Sequence, residues 1–418
     1  MKQLSLSVSV ALVCAGICTP QISQATNGYA SHGFGTVQKA MGGAAVAGSD
    51  NAMNIATNPA AMSFGSNNWT AGLDIFKPDR ETSGSPRGTF DGNGDEIFPI
   101  PEFGYQRHLN DKYAVGIAVY GNGGMNATYD VPIYSLAGTN TGIDFAQLFV
   151  APSVSMKMNE KHSIGASLNL VYQRIEITGV DGFATASSNP GSLSDRGYDT
   201  STGAGVTVGW QGKLSPRLAA GLAYRSKTAM SEFDDYSGLL AEQGDFDIPS
   251  MITAGVSLKA TPETTLALDV ARINYTDVKS ISNPNNTAGI PTGGALLGQD
   301  GGAGFGWEDQ NIVKLGVKHK LNEKMTLLAG YNHGKAPIPE SETAFNVLAP
   351  ATVEDHLTLG MDWRVSNDSN VTVQYMHAFE NEIKGDGSPG SLFEGGAATA
   401  DLKMKQDSIG IAYTKNFK

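Results

Sequence analysis

Arg225, Lys314 and Lys318 are the side chains of this sequence with the clearest chemical use. Each stands on the polar side of a stretch in which apolar and polar residues alternate. A period of two puts these residues on one face of a strand and the aliphatic residues on the other. A cation on a partly dry face can pair with a carboxylate and gain more from it than in water. The carboxylate belongs either to the chain itself, with Asp50 a candidate, or to an anionic ligand. Arg225 and Lys314 are the pair expected to bind a ligand. Phe145 and Phe149 share the corresponding face of their own stretch, where a water-filled channel has no use for them, and they join the same set.

Other constellations carry less. Asp91-Gly92-Asn93-Gly94-Asp95 with Glu102 has calcium-loop spacing, but Glu96 stands where the sharp turn needs Gly. The histidines, at 32, 108, 162, 319, 333, 356 and 377, form no pair at metal-ligand spacing. No Gly-x-Ser-x-Gly elbow is present. No catalytic residue, metal or cofactor is expected.

The elements that must position these residues are strands. In Ser163–Arg174, Ile164, Ala166, Leu168, Leu170 and Tyr172 fall on one face, and Gly165, Ser167, Asn169 and Gln173 on the other. Thr264–Asn274, Val371–Tyr375 and Ser408–Thr414 repeat the pattern. A soluble sandwich would alternate too, so the punctuation decides. Very short polar turns recur, as at Leu109-Asn110-Asp111-Lys112, Met158-Asn159-Glu160-Lys161 and Leu321-Asn322-Glu323-Lys324. Long Gly/Asn/Ser-rich loops separate the strands between them. Short turns alternating with long loops mark an outer-membrane barrel. About fourteen antiparallel strands are expected, among them 68–76, 112–120, 217–230 and 307–320. Trp69, Tyr113, Trp210, Trp363 and Phe417 fall near periplasmic strand ends on the aliphatic face. Tyr172, Trp307 and Tyr331 do so near the outer ends. Two outward aromatic rings suit the two bilayer interfaces. Ser163 beside His162 would then sit at the periplasmic end, the wrong leaflet for a hydrolase of surface lipid.

Composition agrees. Gly accounts for 51 of 418 residues, and the formal net charge of −12 argues against a nucleic-acid partner. Residues 1–25 read as a secretory signal, with Lys2 ahead of an apolar run and Ser23-Gln24-Ala25 at its end. Both cysteines, Cys14 and Cys18, lie within it, leaving the exported chain without thiols. After it, no apolar run approaches the ~18 residues of a spanning helix. Residues 26–66 form a Gly- and Ala-rich, nearly uncharged stretch that suits close passage of backbone against backbone. It reads as a plug packed inside the barrel of residues 67–418, or else as a flexible periplasmic leader.

Within that stretch, Gly33 and Gly35, Met41-Gly42-Gly43-Ala44 and the closing Asn58-Pro59-Ala60 resemble the N-terminal hatch of FadL-type transporters of long-chain fatty acids. The order hatch, about fourteen strands, long loops after odd strands is similar to that family over nearly the whole chain. The C-terminus departs from the usual barrel pattern, since Phe417 is followed by Lys418 and Lys415 takes the inner aromatic position. The resemblance implies passive uptake of hydrophobic molecules, with long-chain fatty acids first and monoaromatic hydrocarbons as the alternative. A lipid hydrolase or a general porin ranks behind these. It also implies capture by extracellular loops, a pocket in the lumen, a hatch shift and lateral exit at a kinked third strand. Here Gly121-Asn122-Gly123-Gly124 would supply the kink, or simply begin a loop. The implied partners are the ligand, outer-membrane lipid and lipopolysaccharide, and the barrel assembly machinery.

Overall fold

The computed structural model describes residues 26–84, 88–285, 294–386 and 400–418, so the expected signal at 1–25 lies outside the described residues. Among those described, fourteen long strands close a barrel. They are β1 Asn68–Gly84, β2 Phe98–His108, β3 Tyr113–Thr128, β4 Gly142–Lys157, β5 His162–Thr178, β6 Asp199–Lys213 and β7 Leu218–Arg225. The second half comprises β8 Met251–Lys259, β9 Thr264–Ile273, β10 Gln310–Lys320, β11 Met325–Gly334, β12 Asp355–Arg364, β13 Ser369–Ile383 and β14 Ala400–Asn416. Each pairs antiparallel with its neighbours in sequence, and β14 returns to β1 from Asn68 opposite Asn416 to Gly84 opposite Ala400. Closure pairs the strands around the ring, the condition for spanning lipid with strands; β3 pairs with β2 only as far as Tyr120, and beyond it Gly123 bridges to Ala30 instead.

Alternation becomes two surfaces. Along β5, Leu168, Leu170 and Tyr172 are exposed while Ser167, Asn169 and Gln173 are buried. The exposed belt continues through Val206, Val208, Leu222, Leu266, Leu268, Leu315, Leu357 and Ile411. The recurrent Asn of the short turns closes each by accepting from two backbone amides. Asn110 Oδ1 takes Lys112 and Tyr113, Asn159 takes Lys161 and His162, and Asn322 takes Lys324 and Met325. Such Asx turns explain why so short a connection reverses the chain.

Several boundaries differ from the sequence expectation. β1 runs on to Gly84 and β3 to Thr128, well past 76 and 120. β7 stops at Arg225, after which Ala229–Met230 forms a separate short pairing with β6. Trp307 is no outward belt residue. It precedes β10, is fully buried, and donates from Nε1 to Asn346 Oδ1 at 2.6 Å. The chain turns inward over the barrel mouth there, so strand parity does not extend to Trp307.

Residues 26–66 run along the inner faces of the strands. They contain the short helix α1, Thr36–Ala40, and two 3-10 turns, Ala52–Ala56 and Pro59–Phe64. Asn51 and Asn58 cap these turns with their side chains. The fit depends on missing side chains: a Cβ at Gly330 of β11 would stand 2.0 Å from the amide nitrogen of Gly42. Gly42 itself has φ +64°, a backbone conformation that glycine adopts at least cost. Above this layer the long loops close on an aromatic cluster that includes Tyr29, Phe145, Phe246, Tyr275 and Trp307.

Candidate functional site

Most acids on the inner wall are occupied by residues 26–66. Asp74 of β1 pairs with Lys39 Nζ at 2.5 Å, both nearly fully buried. Glu102 of β2 accepts from the Thr36 amide at 2.9 Å and its hydroxyl at 2.8 Å. Asp269 of β9 accepts from the amides of Ala45 and Val46 at 2.8 and 2.9 Å. Lys318 points inward and pairs with Asp50, the acid singled out in the sequence. Asn58 Nδ2 donates to the carbonyls of Val46 and Trp210, and Ala60 O accepts from Ser163 Oγ at 3.0 Å. That bond commits Ser163, while the His162 ring stacks on Trp210, 5.8 Å between centroids.

Arg225 is different. At the end of β7 it is only 6% exposed, and among the described residues it has no carboxylate partner. Nη1 donates to Asn122 Oδ1 at 2.5 Å, Nη2 reaches the thioether of Met251 at 3.7 Å, the guanidinium also donates to the Tyr120 hydroxyl, and Nε has no partner. The guanidinium carbon lies 5.4 Å from the Phe149 ring centroid and 5.9 Å from that of Phe34. Tyr120 stacks between the same rings, 5.4 Å from Phe149 and 4.8 Å from Phe34. Lys314 of β10 is equally buried, and its Nζ donates to His32 O at 3.0 Å. Both cations line one cavity of about 20 Å³, bounded also by Gly33, Phe34, Gly43, Met251 and Thr253. That volume holds a water molecule and no larger ligand.

The expected ligand set is therefore brought together in part. Arg225 and Lys314 line one cavity and Phe149 lies beside the Arg225 guanidinium, whereas Phe145 belongs to the layer above. There it meets Tyr29 at 5.9 Å and Phe246 at 4.9 Å, both edge to face. Gly33 and Gly43 line the cavity, while Gly35 precedes α1. Pro59 opens its 3-10 turn and Ala60 is packed tightly beneath β5. His32 stacks on His356 at 5.9 Å, and burial, reinforced by Lys39, holds the His32 imidazole well below its usual pKa.

In β3 the register against β4 slips between Gly121 and Gly123, leaving Asn122 as the extra residue. The backbone there is covered by the N-terminal segment: Ser31 N donates to Asn122 O and Gly124 N to Tyr29 O, both at 3.0 Å. The calcium-spaced loop holds a cation of its own chain instead. Arg80 donates to Asn93 Oδ1 and to the carbonyl of Asp95, and among the described residues no acidic or His cluster is arranged for a metal.

Asp74 and Asp269 were not singled out in the sequence, and Glu102 was named there only for its calcium-loop spacing. A signal was available, because an acid within a spanning strand is costly unless it faces a partner.

Residues 15–417 match the family described as outer membrane protein transport protein (OMPP1/FadL/TodX). The solved toluene transporter TodX of Pseudomonas putida is similar at TM-score 0.69 and 18% identity, over 92% of this chain and 99% of its own. A FadL homologue of Pseudomonas aeruginosa gives TM-score 0.69 at 15% identity, over 94% and 100%. The toluene transporter TbuX of Ralstonia pickettii gives 0.64 at 17%, over 93% and 99%. No curated protein matches in sequence. At these identities the structural likeness is one of fold.

Proposed function

We propose, since the chain belongs to the outer membrane protein transport protein (OMPP1/FadL/TodX) family, that this outer-membrane barrel takes up long-chain fatty acids passively. The observation that carries the choice of substrate is the cavity with Arg225 and Lys314 on its wall and no carboxylate beside Arg225 among the described residues. A buried cation left without a counter-ion costs several kcal/mol. A fatty acid carboxylate removes that cost and brings an apolar tail to Phe34, Phe149 and the aromatic layer above. Residues 26–66 act as the plug, and their displacement enlarges the cavity. The bulge at Gly121–Gly124 is the exit through the wall.

A second reading keeps monoaromatic hydrocarbons as cargo. The ring cluster of Tyr29, Phe145, Phe246, Tyr275 and Trp307 favours it, as does the toluene transport named for two of the similar structures. Equilibrium binding of labelled oleate and of toluene to the purified protein and to Arg225→Met separates the two. Oleate affinity is expected to fall at least about tenfold in Arg225→Met, the loss of a hydrogen bond to a charged group, with toluene unaffected. Toluene binding with no oleate binding in the parent protein would reject the fatty acid reading.

A further inference from the structure

Asn122 is the one residue of the β3 bulge that has a side chain, and that side chain is fully buried on the inner wall. Its Oδ1 holds Arg225 Nη1 at 2.5 Å, and its Nδ2 donates to Gln147 Oε1 at 2.8 Å. Gln147 continues to Gln173 at 3.2 Å, and Gln173 to the carbonyl of Phe246 in the loop after β7 at 2.9 Å. Anchoring Nη1 fixes which part of the guanidinium stays free. On the edge formed by Nε and Nη2, Nε has no partner and no carboxylate is present among the described residues, and such an edge is what a carboxylate grips with two parallel hydrogen bonds.

We propose that Asn122 is the positioning residue of the anion site, holding Arg225 with its Nε–Nη2 edge presented to the cavity, so that the site is intact only while the β3 bulge keeps its shape. The inference rests on Arg225 as the carboxylate anchor and adds a coupling between that anchor and the wall. Asn122 takes its place from the bulge: its own carbonyl accepts from Ser31, and the register slip sets it between Gly121 and Gly123. Opening the bulge withdraws Asn122 and frees Arg225 to turn. By reciprocity, a carboxylate bound at Arg225 holds the bulge shut, and an opened bulge binds carboxylate less tightly. The ligand is thus let go as its way out appears.

The test pairs binding with backbone exchange. Oleate and its uncharged methyl ester are titrated into the full-length barrel, and amide hydrogen exchange is followed across Gly121–Gly124. In the parent, oleate slows exchange there and methyl oleate does not. Asn122 is not among the residues with positive φ, so Asn122→Ala fits the same backbone. It is expected to weaken oleate about tenfold, leave methyl oleate unchanged and abolish the oleate-dependent protection. Asn122→Asp, which gives Arg225 an internal carboxylate, is expected to weaken oleate further with methyl oleate again unchanged. It serves as the second variant should Asn122→Ala fail to show the heat-modifiable gel migration of a folded barrel.

The positioning role is overturned if Asn122→Ala binds oleate like the parent and keeps the protection. It is overturned equally if oleate and methyl oleate are weakened alike, which marks a merely structural role. Arg225→Met distinguishes the levels. Undiminished oleate binding there removes the carboxylate anchor itself. Lost binding there, with Asn122→Ala unaffected, removes only the coupling.

Discussion

Lys39 and Asp74 meet at 2.5 Å inside the barrel, with Gln374 Nε2 also donating to Asp74 at 3.0 Å. A pair so buried gains little over two apolar side chains, but removing one partner is costly; it fixes where α1 sits. Asp245, in the loop after β7, is placed in the opposite way. Its neighbour Asp247 takes the available donors, Lys227 Nζ at 2.7 Å and the Met230 amide at 2.7 Å. Burial, and then the charge of Asp247, push the Asp245 carboxyl up to about 7. A carboxyl raised in the folded state is protonated there while still ionised in the unfolded chain. Its contribution is therefore full below the ordinary carboxylate pKa, declines as pH rises, and is gone above about 7. Limited proteolysis of the 226–250 loop is expected to speed up between pH 5.5 and pH 8, a window set around that pKa. Asp245→Asn should flatten the profile; an unchanged profile in that variant would assign the dependence elsewhere.

At the level of elements, β3 is built in two parts. Tyr113–Gly121 pairs regularly with β4, and Gly123–Thr128 resumes after the slip. The second part is backed by the N-terminal segment, and a Cβ at Gly123 would stand 2.2 Å from Tyr29 O. Gly123→Val therefore acts twice, favouring regular strand geometry and expelling Tyr29–Ser31 from the wall. Uptake of labelled oleate by cells carrying this variant is expected to fall sharply, with barrel folding and surface binding little changed. Preserved uptake would mean that cargo follows the barrel axis and never uses this part of the wall.

For the molecule as a whole, the barrel and its contents make separable demands. Apart from β3 at Asn122 and Gly124, which bonds Tyr29 and Ser31, the strands pair with each other around a closed ring, and the outer belt meets lipid. Residues 26–66 add contacts to the inner faces of the strands, backbone hydrogen bonds to β3, and packing of Tyr29 against Tyr275 and Trp307. Deleting Gly33–Ala60 is accordingly expected to leave a strand-dominated circular dichroism spectrum and heat-modifiable migration. The conductance of planar bilayers should rise, because the lumen loses what fills it. A deletion variant as closed as the parent would remove the plug from consideration.

The barrel was legible because its determinants are local. Period-two alternation, Asn-centred turns and the aromatics at Trp69, Tyr113 and Trp363 each act within a few residues, so the sequence alone determined strand number, inward and outward faces and membrane class. It also placed Arg225, Lys314 and Lys318 on the inner face, since parity needs no partner to be known. Partners were another matter. Lys318 meets Asp50, 268 positions away, whereas Arg225 meets no acid among the described residues and holds the amide oxygen of Asn122, 103 positions away. Trp307 left the outer belt for the mouth, and Phe145 and Phe149 parted into two layers. Such pairings exist only once the ring has closed and the N-terminal segment has been threaded against its inner wall. Periodicity says which way a side chain points; closure decides what stands opposite it.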